Sequence, residues 1–186
     1  RVEGLENLPD GPAILAAKHQ SAWDTIVFYR VLDADPVYVL KRELTWIPIL
    51  GWYLRRVGMV AVDRKGGAAA LRRMTATAHA ALAEGRRIVI FPEGTRTAPG
   101  ARRPYHPGVA ALYAATDVPV VPVALDSGRY WPRRGFLKRP GTITLRILPP
   151  LPPGLARKAF VAELEHRIEE ACAALAGTPG DKSPAK

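Results

Sequence analysis

The sequence predicts an α/β fold, a single domain with a largely parallel or mixed central sheet flanked by helices. Three observations carry this. Six short runs rich in β-branched residues, each bounded by Gly, Pro or charge, have the composition of strands. Segments with helical periodicity alternate with them, the order that builds a sheet covered by helices. The 186 residues, 48% of them hydrophobic, suffice for one well-packed core.

AILAA (13 to 17) is an apolar run of strand length, followed by a turn and then by DTIVFYRVL with helical character. PVYVLK (36 to 41), GMVAVD (58 to 63), RIVIFP (87 to 92), VPVVPVAL (118 to 125) and TITLRIL (142 to 148) repeat the strand pattern. Residues 67 to 84 place Leu71, Met74, Ala78 and Leu82 on one helical face, and Gly85 supplies the stop. A short helix is expected over 107 to 116. A longer one, over about 157 to 175, carries Phe160, Leu164, Ile168, Cys172 and Leu175 as an apolar stripe docking on the core. The domain thus spans 1 to 175, and residues 176 to 186 read as a polar, disordered tail. There is no internal repeat.

Composition narrows the function. No apolar run reaches the length of a bilayer-spanning helix, and nothing at the start resembles a signal peptide. The chain begins at Arg1 without a methionine, so an upstream segment, with room for a membrane anchor, is expected. One cysteine, Cys172, precludes an internal disulfide, and no Cys/His set suggests a metal. The formal charge of +10, from 27 Lys and Arg against 17 Asp and Glu, points to anionic partners: phosphorylated ligands, an anionic membrane surface or nucleic acid.

The stretch AAKHQSAWDTI admits two readings. Ser21 followed by Asp24 is an S-x-x-D capping box before an apolar segment. Taken alone, the stretch favours that cap. Yet His19 sits at a strand end, where α/β folds gather their ligand sites. If the turn bends back, Asp24 fixes the imidazole tautomer and leaves the other ring nitrogen as a base. Both roles for Asp24 can coexist. No G-x-S-x-G elbow exists and Cys172 lies on an apolar stripe, so a base here acts on a substrate group, most naturally a hydroxyl. A second strand end delivers Glu93, Gly94, Thr95 and Arg96, an inventory suited to a polyol bearing a phosphate. A third ends in Arg64 and Lys65, of which Lys65 reads as solvated charge.

These motifs resemble those of the glycerolipid acyltransferases. KHQSAWD looks like the family's H-x4-D block, VAVDRK like its second, FPEGTR like its third and VPVVPVAL like its proline-containing fourth, in the family's order. The first 175 or so residues are similar to bacterial 1-acylglycerol-3-phosphate O-acyltransferases throughout, including ENLP before the first block and LKREL after it. Lys18 departs from the pattern, which usually has Asn there. The resemblance implies a glycerolipid acyltransferase-like fold and transfer of a fatty acyl group to the sn-2 hydroxyl of lysophosphatidic acid, giving phosphatidic acid. It implies His19 and Asp24 as catalytic residues. Lys41, Arg64, Glu93, Gly94, Thr95, Arg96 and Pro122 would bind the acceptor or shape its pocket. No cofactor or metal is expected; acyl-CoA or acyl-carrier protein would be the co-substrate, and the place of work the cytoplasmic face of the cell membrane. Another lyso-lipid, such as lyso-ornithine lipid, is an alternative acceptor. Nucleic-acid binding is the competing class, not expected because it leaves His19, Asp24 and FPEGTR without purpose.

Two segments are left over. LTWIPILGWYLRR (44 to 56) is apolar, aromatic and flanked by bases, which fits either core or a bilayer interface. RYWPRRGFLKRPG (129 to 141) repeats the mixture in an expected loop between strands, either a solvated hairpin or a second basic, aromatic contact. His79 and His166 read as helix surface, and His106 as a loop residue.

Overall fold

The computed structural model describes residues 1–33 and 35–177, so most of the expected tail lies outside it; Ala176 and Gly177 belong to the last helix. The strands are β1 (Val2–Glu3), β2 (Ile14–Ala17), β3 (Val37–Lys41), β4 (Val60–Val62), β5 (Ile88–Ile90), β6 (Val120–Leu125) and β7 (Leu145–Ile147). The helices are α1 (Asp24–Val31), α2 (Leu50–Arg56), α3 (Gly67–Ala83), α4 (Pro107–Ala115) and α5 (Arg157–Gly177). The strands form one mixed sheet in the order β1-β7-β6-β2-β5-β3-β4, parallel everywhere except between β6 and β7.

β2 explains the layering. It is buried on both faces, which is why it reads as an unbroken apolar run rather than an alternating one. Its side chains nevertheless alternate: Ile14 and Ala16 pack with Met74 and Ala78 of α3, Leu112 of α4 and Phe160, Leu164 and Ile168 of α5. Leu15 and Ala17 pack on the opposite face with Val27 and Phe28 of α1. The sheet is therefore the middle of three layers. α3 ends as its sequence predicts, with Gly85 in the left-handed conformation at φ +78°. Pro122 sits inside β6, paired with Ala16. Its carbonyl accepts from the Leu148 N–H, just past the end of β7, so its donor-less nitrogen faces a point where the ladder has already ended.

Two elements were not expected. β1 is only two residues long, too short for periodicity, and is held at the sheet edge by its backbone pairing with β7 and by a Glu3–Arg146 ion pair of 2.7 Å. α2 lies in the apolar segment at 44 to 56, which does not become core: Trp46, Ile49 and Trp52 are 64%, 85% and 63% exposed. Among the described residues no helix is long and apolar enough to cross a membrane.

Candidate active site

Because β2, β3, β4 and β5 are parallel, the residues that follow them share one end of the sheet. His19 follows β2, Lys41 ends β3, Arg64 follows β4, and Gly94, Thr95 and Arg96 follow β5. All six line one cleft of about 510 Å³, together with Tyr38, Leu44, Tyr53, Leu54, Phe91 and Arg133 among others.

His19 and Asp24 meet as a dyad. Nδ1 of His19 lies 3.0 Å from Oδ2 of Asp24, and the imidazole stacks on Phe91 with centroids 4.0 Å apart. The ring is thus fixed in plane by an aromatic face and in rotation by a carboxylate. The expected helix cap does not form: Asp24 is the first residue of α1, whose N-cap position is Trp23 with no side-chain cap bond, and Oδ2 instead accepts from the N–H groups of Ser21 (2.8 Å) and Gln20 (2.7 Å) in the turn before the helix. Ser21 does not complete the box; its hydroxyl accepts from the Trp23 N–H at 3.2 Å. The remaining oxygen, Oδ1, accepts from the Ser127 hydroxyl at 2.5 Å, in the turn after β6. Sequence reasoning passed over Ser127, which carries no motif; its only signal is its place beyond a strand adjacent to β2.

The cleft wall is cationic. Lys41, Arg64, Arg96 and Arg133 line it, and among the described residues no Asp or Glu does. Arg64 Nη2 donates to the Gly94 carbonyl at 2.5 Å, and burial pushes its pKa below the ordinary value, partly opposed by Glu43. Gly94 has φ +64°, and a Cβ there would meet His106 Cδ2 at 2.7 Å and Arg64 Nη2 at 2.8 Å, so the close approach and the left-handed backbone both require glycine. His106 is more involved than a loop residue, being pushed below its ordinary pKa by burial, then by Arg64 and Lys41. It lines a second, apolar slot of about 150 Å³ with Val62, Leu71, Met74, Ile90 and Val109, which shares Val39, Leu40, Arg64, Phe91 and Gly94 with the cleft.

Two residues, one expected to bind the acceptor and one to shape its pocket, do not line the cleft. Pro122 is buried within β6. Glu93 is buried behind the His19 loop, where Oε1 accepts from Lys18 Nζ at 2.9 Å and Oε2 from the His19 N–H at 3.2 Å. A carboxylate so engaged and closed off has no free oxygen to offer a ligand in the cleft. Lys65, His79 and His166 are exposed, as expected. Cys172 is partly buried, its thiol pushed up to about 12 by burial. Among the described residues no group of three or more His, Cys, Asp or Glu could hold a metal.

The family model for acyltransferases matches residues 1–126. The chain belongs to the acyltransferase family. Within it, the chain is 38% identical over 169 residues to a 1-acyl-sn-glycerol-3-phosphate acyltransferase of Pseudomonas aeruginosa, covering 90% of this chain and 65% of that one. It is 30% identical to 1-acyl-sn-glycerol-3-phosphate acyltransferase alpha of Ovis aries, covering 90% and 59%. The chain thus spans less than two thirds of the length of these curated relatives. The crystal structure of a 1-acyl-sn-glycerophosphate (LPA) acyltransferase from Thermotoga maritima superposes with a TM-score of 0.77 at 27% identity, covering 96% of this chain and 72% of that one. The three-layer fold is therefore an acyltransferase fold.

Proposed function

We propose that this acyltransferase moves a fatty acyl group from a thioester, acyl-CoA or acyl-carrier protein, to the free sn-2 hydroxyl of lysophosphatidic acid, giving phosphatidic acid. The observation that carries this is a His–Asp dyad opening on a cleft lined by four cations and, among the described residues, by no Asp or Glu. Asp24 on Nδ1 leaves Nε2 of His19 to take the acceptor hydroxyl's proton as the oxygen attacks the thioester carbonyl. The new ester C–O bond forms, the C–S bond breaks, and the proton held by His19 passes to the departing thiolate. Among the described residues no Ser or Cys lines the cleft, which favours direct passage of the acyl group between the two substrates. Lys41, Arg64, Arg96 and Arg133 hold the acceptor phosphate, each charge-assisted bond contributing about 1.5 to 3 kcal/mol. The adjoining apolar slot suits a hydrocarbon chain. An assay of the purified protein across lyso-lipids, with both thioester donors, tests the assignment. Turnover highest with lysophosphatidic acid supports it, whereas preference for an acceptor without phosphate overturns it.

The same reading includes an anionic membrane surface as partner, at the cytoplasmic face where the thioesters are available. Trp46, Ile49 and Trp52 project beside Arg42, Arg55 and Arg56, while Phe136 and Leu137 are exposed beside Arg133, Arg134, Lys138 and Arg139. Tyr130 and Trp131 of the second segment are half-buried, with Lys138 Nζ 4.9 Å from the Trp131 ring, so they offer no open stacking platform for bases. Each base near an anionic leaflet contributes about 1 kcal/mol. The protein should sediment with anionic vesicles at low salt and release as salt rises; equal binding to neutral vesicles, or none to either, argues against the surface.

A further inference from the structure

Behind the dyad, on the face of the sheet away from α1, lies a buried charged cluster that the reaction does not use directly. Lys18 is 1% exposed, and its Nζ contacts Glu93 Oε1 at 2.9 Å, Glu169 Oε1 of α5 at 2.6 Å and the Ala101 carbonyl at 3.3 Å. Three side chains, one cation and two carboxylates, are thereby removed from water. The surroundings are apolar enough that the nearby Tyr105 hydroxyl is buried with no hydrogen-bond partner among the described residues. Burial alone would lower the Lys18 pKa; its hydrogen bonds to Glu169 and Glu93 outweigh that and leave it raised.

Such a cluster is an expensive way to fill a core, because apolar residues of similar volume usually serve stability as well or better. Its geometry points to another purpose. The Glu93 oxygen that Lys18 leaves free accepts the His19 N–H at 3.2 Å, while the Thr97 N–H donates to the His19 carbonyl at 2.7 Å. Both sides of the His19 peptide are therefore gripped by the FPEGTRT strand end, and the grip on the N–H side is only as firm as the Glu93 carboxylate. Lys18 holds that carboxylate, and Glu169 holds Lys18. We propose that Lys18, anchored by Glu169, is a positioning residue for the dyad: it fixes Glu93 as a backbone clamp on His19, and makes the placement of the imidazole depend on the docking of the C-terminal helix α5. None of the three side chains lines the cleft, so none contributes to acceptor affinity. The inference rests on the acyl-transfer reading for its kinetic readout and is independent of it for its structural one.

The test compares wild type with Lys18→Met and with Lys18→Met/Glu169→Leu. Removing Lys18 alone leaves two buried carboxylates without a cation, and Tm should fall by roughly 10 °C. Removing Glu169 as well relieves the repulsion, and much of that loss should return. A residue with only a structural role would recover kcat along with Tm. Under the proposal kcat stays down by about 10²-fold in both variants, the cost of misplacing a reacting group by about an ångström, with KM for lysophosphatidic acid unchanged. Independently of turnover, NMR exchange of the His19 amide should lose protection in the double variant while β2 amides such as that of Leu15 keep theirs. If kcat recovers with Tm, or the His19 amide stays protected, the proposal is overturned. Wild type inactive on every lyso-lipid would instead refute the acyl-transfer reading, and the amide measurement would still decide this one.

Discussion

Replacing Ser127 with Ala isolates one hydrogen bond in the support of the dyad. Asp24 Oδ2 accepts three bonds, from His19 Nδ1, Gln20 N and Ser21 N, whereas Oδ1 accepts only that of the Ser127 hydroxyl at 2.5 Å. Both side chains are buried, and the substitution removes a single oxygen, too little volume to admit a well-bonded water. A charge-assisted bond of this kind is worth about 1.5 to 3 kcal/mol, and its loss leaves a buried carboxylate oxygen unpaired, so about 2 to 3 kcal/mol of stability should go. For a domain of this size that lowers Tm by roughly 4 to 9 °C. Three bonds still hold Oδ2, so the imidazole keeps its tautomer and kcat should fall by only about 10-fold, far less than when Asp24 itself is changed. Thermal unfolding and steady-state kinetics on the same preparations measure both. A Tm within a degree of wild type would mean that Oδ1 finds another partner and that Ser127 does not brace the dyad.

His19→Ala should abolish transfer with the fold intact by circular dichroism, and Asp24→Asn should cost roughly 10⁴-fold in kcat by losing the tautomer's anchor; initial-rate patterns should be of the ternary-complex type, and a trapped acyl-enzyme would reveal a nucleophile outside this scheme. Gly94→Ala forces a Cβ against His106 and Arg64 at φ +64°, so KM for lysophosphatidic acid should rise about 10-fold or more, and an unchanged KM would remove Arg64 from the phosphate site. Cys172, pushed up from an ordinary 9.0 to about 12 by burial, is a neutral thiol at pH 8 in the folded chain, so it should resist alkylation until denaturant is added. Unfolding frees the thiol to ionise at lower pH, so its contribution to stability is full below about pH 9 and is lost as pH rises through about 12.

The strands and the site were legible for related reasons. A run such as RIVIFP announces a strand by composition, and an α/β order makes the strands parallel, so residues placed at successive strand ends arrive together. His19, Lys41, Arg64, Thr95 and Arg96 needed only that to be brought to one cleft. The two readings of AAKHQSAWDTI resolve toward the dyad: Oδ2 of Asp24 reaches the imidazole and, in the turn before α1, the Ser21 N–H, while the N-cap of α1 is Trp23 with no side-chain cap bond. What sequence could not decide was the 44 to 56 segment. Its apolar residues fall on all sides of a short helix, so no periodicity tells a core from an interface, and only the sheet's extent shows that β3 and β4 leave it outside.

Glu93 shows where reading by residue type fails, since a carboxylate beside a threonine and an arginine suggests a ligand whether it faces the cleft or its back. The alternation along β2 carries the missing information. Ile14 and Ala16 face α3, α4 and α5, and Leu15 and Ala17 face α1, so continuing the same parity sends Lys18 toward α5 and His19 toward α1 and the cleft. A lysine sent into the apolar side of a sheet needs an acid there, and α5 is the helix whose stripe of Phe160, Leu164 and Ile168 covers that side. Glu165 and Glu169 both flank the stripe, each one residue beyond a buried position, and periodicity alone cannot choose between them. The choice is made by height along the helix: only Glu169 stands level with the end of β2, next to Cys172, whose thiol lies 3.5 Å from the Leu125 carbonyl at the end of the adjacent strand β6. Lys18 thus has a specific partner where the family usually has Asn, and substituting Asn there without also changing Glu169 would leave two buried carboxylates facing an uncharged amide.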